Sequence, residues 1–223
     1  LLLSILITLG PSCARSYGDE IQPQGLDLYQ DITGDDTEAD RMHWDSLFNK
    51  AAYVYGRDPA PFLKDHIGLL PVGKVLDIAT GEGRNAVFMA KKGFQVTGVD
   101  YSDVALAKAR RLAHDNRAQI HVINADLNEY VIKPESYDVI VNIDFLLRTL
   151  LPEIKKGVKH GGMVVFENQT LDQLGNPGGK TLRKDWLLKK GELREMFKDW
   201  DILVYREVND GKDARASIVA RRP

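Results

Sequence analysis

Val75-Leu76-Asp77-Ile78-Ala79-Thr80-Gly81-Glu82-Gly83-Arg84-Asn85 runs from a short hydrophobic strand through two glycines into the start of a helix. Gly81 and Gly83 allow backbone conformations closed to other residues and let a ligand approach the chain closely. Free N–H groups at a helix start meet polar ligand atoms. Asp77, near the strand's end, is placed to accept hydrogen bonds from loop amides or from a cationic ligand group.

Outward from this segment the chain alternates short apolar runs with amphipathic stretches, the pattern of a parallel sheet covered by helices. Strands are predicted over Lys74 to Ile78, Gln95 to Asp100, Gln119 to Asn124, Tyr137 to Asp144 and Met163 to Asn168. Helices are predicted over Asn85 to Lys92, Asp103 to Asp115 and Leu146 to Val158, with Ser102 or Asp103 and Gly93 or Gly161 as caps and stops. The pattern then changes. Lys190 to Phe197 reads as a helix, and Asp201 to Val208 and Ala214 to Arg221 read as two strands around Asn209-Asp210-Gly211, a hairpin signal. The expected fold is α/β: a Rossmann-like, doubly wound, mostly parallel seven-stranded sheet ending in an antiparallel hairpin.

The 223 residues, 43% hydrophobic and 28% charged, suit one globular α/β domain with short extensions. Thirty basic against thirty-two acidic residues leave a net charge of −2, so no global field favours nucleic acid, and no nucleic-acid partner is expected. The lone Cys13 excludes an internal disulfide and a cysteine zinc site, and the five histidines lack ligand spacing, so no metal is expected. Leu1 to Gly10 is apolar and too short to span a bilayer; it resembles the core of a secretory signal, with Cys13 as a candidate lipidation site and membrane tether. Residues 1–40 therefore read as an apolar leader followed by a flexible arm, and the globular domain as 41–223.

A second strand ends at Val99-Asp100, where a carboxylate can hold both hydroxyls of a ribose, with Tyr101 beside it. A third ends at Asn124-Ala125-Asp126-Leu127; Asp126 can accept the exocyclic amine of an adenine, while Leu127 offers a backbone amide and apolar contact. Ligands of open α/β sheets bind outside the carboxyl ends of the strands, so an adenosine would lie along Gly81, Asp100 and Asp126.

The run DIATGEGRNA, with Thr97-Gly98-Val99-Asp100 and Ala125-Asp126-Leu127, resembles the class I S-adenosylmethionine-dependent methyltransferases over roughly Trp44 to Pro223. Tyr53-Val54-Tyr55-Gly56 and the Gly-Glu-Gly-Arg-Asn loop are most similar to the bacterial tellurite-resistance methyltransferase group. The resemblance implies S-adenosylmethionine as cofactor, with Tyr55, Asp77, Ala79, Gly81, Gly83, Asn85, Asp100, Tyr101, Asp126, Leu127 and Asn142 around it. It also implies that Trp44, Tyr55 and Phe62 help cover the cofactor, the alternative being that they are core aromatics. Ala79 replaces the first glycine of the usual pattern, which tightens ligand approach there.

A small-molecule acceptor, such as a thiol or a chalcogen oxyanion, would sit beyond the fourth strand. Asn142, Asp144 and Arg148 are the candidates there, Arg148 as a clamp for an anion or as the partner of Glu153, with Glu167 and Asn168 completing a polar wall. Gly175 to Gly179 reads as a lid or a plain connector. Gly81-x-Gly83-x-x-Ala86 also satisfies a dinucleotide fingerprint, but the chain has no Tyr-x-x-x-Lys pair and no second domain. A binding module without turnover is the other alternative. An enzyme using S-adenosylmethionine is expected in the cytoplasm; the leader alone points to an anchored or exported form.

Overall fold

The computed structural model describes residues 37–223. The apolar leader, Cys13 and the arm up to residue 36 lie outside the described residues. Helix α1 spans Thr37–Phe48. Helix α2 (Pro61–His66) opens on Pro61 in its first turn, where the missing N–H costs nothing, and was not anticipated from the sequence.

The first half alternates as expected: β1 (Lys74–Ile78), α3 (Arg84–Lys91), β2 (Gln95–Asp100), α4 (Asp103–Asp115), β3 (Ile120–Asn124) and β4 (Tyr137–Ile143). Ser102 caps α4, its Oγ accepting from Ala105 N. Then come α5 (Leu151–Gly157), β5 (Val158–Gln169), α6 (Glu192–Met196), β6 (Asp201–Asn209) and β7 (Ala214–Arg221). The seven strands lie in the order β3-β2-β1-β4-β5-β7-β6, with β7 antiparallel to both its neighbours.

Two elements differ from expectation. The helix before β5 is shorter than Leu146 to Val158, because a 3-10 turn at Arg148–Leu150 precedes α5. Strand β5 starts at Val158 rather than Met163: its pairing with β4 steps from Tyr137↔Val158 to Val139↔Met163, and the extra residues bulge out at Gly161, whose φ is +75°. A glycine that reads as a helix stop is here a bulge inside a strand.

Each face of the sheet carries its own core. Ile140, Phe166 and Ala216 pack with α5 and α6 through Ile154, Leu193 and Phe197. On the other face Val75, Val141 and Val165 pack with α2 and α3 through Phe62, Leu63 and Met89. Each fully buried large side chain contributes about 1.5–3 kcal/mol. Helix α4 stacks on α3, and Gly83 allows it: a Cβ there would stand 2.7 Å from that of Ala109. Among the described residues no helix is long and apolar enough to cross a membrane.

Candidate active site

The tips of β1, β2 and β3 are neighbours in the sheet, and the turn after β1 folds over them. Ala79, Gly81 and Gly83 all have positive φ, at 51°, 53° and 85°. An alanine in this region costs about 1 kcal/mol, so Ala79 is strained where its neighbours are not. Thr80 anchors the turn: its N donates to Val99 O at 3.0 Å and its Oγ1 to Asp77 Oδ2 at 2.6 Å. Gly98 makes room, since a Cβ there would lie 2.7 Å from Thr80 Cγ2.

The carboxylate of Asp100 accepts from Gly81 N at 2.8 Å and from Ser102 N at 3.0 Å. A carboxylate offers roughly four lone-pair positions, and with the Tyr101 amide also acting on it Asp100 keeps some capacity for a ligand. The backbone O of Asp100 accepts from Ala125 N at 3.1 Å, and Tyr101 O accepts from Asn124 Nδ2 at 3.0 Å, tying the third tip to the second. Asp126 closes a turn onto Asn128 N at 2.8 Å and Nδ2 at 2.9 Å. The Tyr101 hydroxyl is pushed well above its ordinary pKa by burial and by the carboxylates of Asp40, Asp100 and Asp126. Gly81, Asp100, Tyr101 and Asp126 therefore lie together at adjacent strand tips. Leu127 is buried in the core.

Asp77 is raised to about 7 by burial, against which the Thr80 hydrogen bond works. Asp100 is raised by burial, against the Ser102 and Gly81 amides. Neither carboxylate has an ion-pair partner among the described residues. Beside them in the sheet, Asn142 pairs with Ile78, is 1% exposed, and its Oδ1 has no hydrogen-bond partner. An unpaired buried acceptor costs about 1–3 kcal/mol. Two buried carboxyls with no cation in ion-pair contact, Arg84 acting on Asp77 only through space, and an orphaned amide oxygen fit a ligand that carries positive charge, N–H donors and hydroxyls.

The sequence reading missed the work of Glu82 and the hydrogen bond that Asn85 accepts within the protein. Glu82, 4% exposed, accepts from Val54 N at 2.6 Å and pairs with Lys108. Asn85 Oδ1 accepts from Ala60 N at 2.9 Å, and Arg84 Nη1 donates to Tyr55 O at 3.0 Å. Three polar side chains flanking Gly83, those of Glu82, Arg84 and Asn85, thus strap residues 54–60 across the loop. Lys108 completes the strap, donating to Phe48 O, Lys50 O and Ala52 O at 3.2, 3.0 and 2.8 Å. No local signal marked Glu82 and Asn85, because they stand in a polar run and their burial comes only from the fold. Phe62 is a core residue, 1% exposed, and not a cover. The cover over Gly81 is Phe48, whose Cζ lies 3.7 Å from where a Gly81 Cβ would be. Phe48 lies between Trp44 and Tyr55, with ring centroids 5.8 and 6.3 Å away, and Trp44 in turn stacks on Trp186 at 6.2 Å.

On the β4–β5–β7 side the expected acceptor residues are engaged with protein groups. Asp144, at φ +61°, accepts from Arg84 Nη2 at 3.0 Å and from Arg215 Nη1, and the two arginines, working against burial, hold its carboxyl below the ordinary range. Arg148 does not pair with Glu153, which pairs with Lys156. Arg148 forks onto Glu192 at 2.7 and 2.9 Å and donates to Asp185 O at 2.6 Å and Leu187 O at 2.9 Å, pinning residues 185–192. Glu167 accepts from Ser217 Oγ at 2.5 Å, and Asn168 donates to Trp186 O at 2.8 Å. The glycine-rich segment is tied down: Asn176 Nδ2 reaches Asn209 Oδ1 at 2.9 Å. No cluster of potential metal ligands occurs among the described residues.

Residues 75–162 match the family described as methyltransferase domain. The probable S-adenosyl-L-methionine-dependent methyltransferase TehB of Haemophilus influenzae is 30% identical over 142 residues, 60% of this chain and 48% of that protein. The chain spans about half the length of the curated relatives it matches first. The crystal structure of TehB from Haemophilus influenzae matches at TM-score 0.63 and 23% identity, over 82% of this chain and 67% of that one. Geranyl diphosphate C-methyltransferase from Streptomyces coelicolor, solved with S-adenosyl-L-homocysteine, matches at TM-score 0.59 and 16% identity, over 73% and 76%. Over the matched segment the chain is similar to methyltransferase domains, and in sequence and sheet topology it resembles S-adenosylmethionine-dependent methyltransferases such as TehB.

Proposed function

We propose that the chain binds S-adenosylmethionine across the tips of β1, β2, β3 and β4 and transfers its methyl group to a small acceptor. The observation that carries this reading is the Gly81 N to Asp100 Oδ2 hydrogen bond of 2.8 Å, which sets the glycine turn and the ribose-type carboxylate on one crevice. When bound, S-adenosylmethionine supplies a methyl group already activated on a sulfonium, so in-line positioning and exclusion of water are what remains for the protein. Asp100 would hold the ribose hydroxyls, Tyr101 and Asp126 would flank the adenine, and Asn142 Oδ1 and Asp77 would meet the cationic end. Phe48, Trp44 and Tyr55 would exclude water from above.

The acceptor enters from the β4–β5–β7 side in this reading. Asp144, held ionised by two arginines, is a weak base, and Arg148 is committed to Glu192. This favours an acceptor that is already a nucleophile near neutral pH, a thiolate or a chalcogen oxyanion, over an alcohol that needs a general base. The cofactor's supply inside the cell is the reason for placing the reaction in the cytoplasm.

Calorimetry tests the first half: saturable binding of S-adenosylhomocysteine with none of NADH is expected, and the reverse result overturns the reading. Labelled methyl transfer to a panel of thiols, selenite, tellurite and small amines tests the second. Cofactor binding with no transfer to any of them would leave a binding module.

A further inference from the structure

Away from the crevice, on the outer side of α3, lies a groove of ≈ 400 Å³ between residues 57–64 and the helix. Arg57, Lys64, Lys91 and Lys92 line it, and Asp58 is the one carboxylate among its lining residues. Among the described residues none of these four cations forms an ion pair. Three of them are steadied by neutral groups. Lys91 Nζ donates to Asn116 Oδ1 at 3.0 Å, Lys92 Nζ lies 5.9 Å from the centre of the Phe88 ring, and the Arg57 guanidinium lies 4.5 Å from the centre of the Tyr53 ring. A neutral partner restrains a cation without cancelling its charge. Cations outside the groove contrast with these: Lys108, Arg148 and Arg215 each meet a carboxylate.

The groove also has a fixed inner wall. Arg84 lines it, and its guanidinium is held by Tyr55 O and Asp144 Oδ2, both at 3.0 Å, so its position is set before any ligand arrives. Val87, Phe88 and Pro59 supply apolar surface between the charges. A chain whose net charge is −2 thus concentrates uncompensated positive charge in one concavity of small-molecule size.

We propose that this groove binds a small oligophosphate, a ligand with two or more adjacent phosphate charges that span Arg57 and Lys64 on one wall and Lys91 and Lys92 on the other. Lysines suit phosphate as point charges, and several of them around one concavity favour an oligoanion over a single phosphate. The ligand is either free oligophosphate or the diphosphate of a nucleotide whose base lies on the apolar surface.

Calorimetric titration of the full chain with inorganic pyrophosphate tests this, first alone and then with S-adenosylhomocysteine present. One-to-one saturable binding is expected in both, weakened at least about tenfold in Lys64→Glu and in Lys92→Glu, and strengthened in Asp58→Asn. Both lysines are exposed and touch no part of the methyl-transfer crevice, so thermal melting of these variants should match the wild type. Repeating the titration with uridine diphosphate separates the sources: a gain over pyrophosphate identifies a nucleotide, and equal affinity identifies free oligophosphate. Absence of saturation, affinity unchanged by the charge reversals, or loss of binding in Asp100→Ala alone would overturn the proposal, the last by placing the anion in the cofactor crevice.

Discussion

The two halves of the crevice treat their carboxylates in opposite ways. On the β1–β2–β3 side, Asp77 and Asp100 are buried against a hydroxyl and backbone amides, with no cation in ion-pair contact among the described residues, and burial raises both. On the β4–β5–β7 side, Asp144 is clasped by Arg84 and Arg215 and is lowered. The first half carries electrostatic strain that a cationic ligand would relieve. The second is already neutralised by its own residues, so it is stable without a ligand and offers fewer unspent groups to an acceptor.

The largest expected effect would break this contrast outright. Asp100→Ala should lower the affinity for S-adenosylhomocysteine at least about 100-fold, near 2.7 kcal/mol, while Arg148→Ala leaves it within about twofold. Equal losses in calorimetry would mean that the halves are not separate. Arg148→Ala should instead lower stability by about 1–2 kcal/mol in urea unfolding, a modest figure because the Arg148 and Glu192 side chains are 37% and 19% exposed.

The second prediction sharpens the cofactor half. Asp77 has a folded pKa of about 7 against an ordinary 3.8, so the protonated folded form is favoured, and its stabilisation is complete below 3.8 and is lost as pH rises to about 7. Asp77→Asn should therefore stabilise the ligand-free protein at pH 8, by on the order of 2 kcal/mol, while weakening cofactor binding. Unfolding curves for wild type and variant that stay parallel between pH 4 and pH 8 would remove the claim of strain.

For Asp144 the sign reverses. Its folded pKa is lowered, so its contribution is present above the ordinary value of 3.8 and is lost as pH falls through the folded value. Asp144→Asn, an isosteric change to a residue that tolerates positive φ, should cost about 1–2 kcal/mol at pH 7 and less in acid, read by the same unfolding assay. The smallest effect is expected at Ala79. Relief of its left-handed strain against the added chain entropy of glycine should leave Ala79→Gly within about 0.5 kcal/mol of wild type, with cofactor affinity equal or better.

Strands β1 and β2 and helix α4 were legible to the residue, because a period-2 or 3.6 pattern and a capping serine are local signals. The shortened α5 and the early start of β5 were not, since Gly161 serves a helix stop and a bulge equally well until β4 is in place beside it. The placement of Gly81, Asp100 and Asp126 at or just past the ends of three neighbouring strands was readable from spacing. The contacts of Arg148 and Phe62 were not, because Glu192 and the α2–α3 core lie far from them in the chain.

The amino-acid sequence by itself determined the order of the strands along the chain, the glycine turn and the carboxylate at the end of β2, since each depends on residues within a few positions of one another. Only the tertiary structure decided which charges are spent. Whether an arginine is a clamp, a strap or a strut depends on the carboxylate that reaches it across the fold, and Coulomb interactions take no account of distance along the chain.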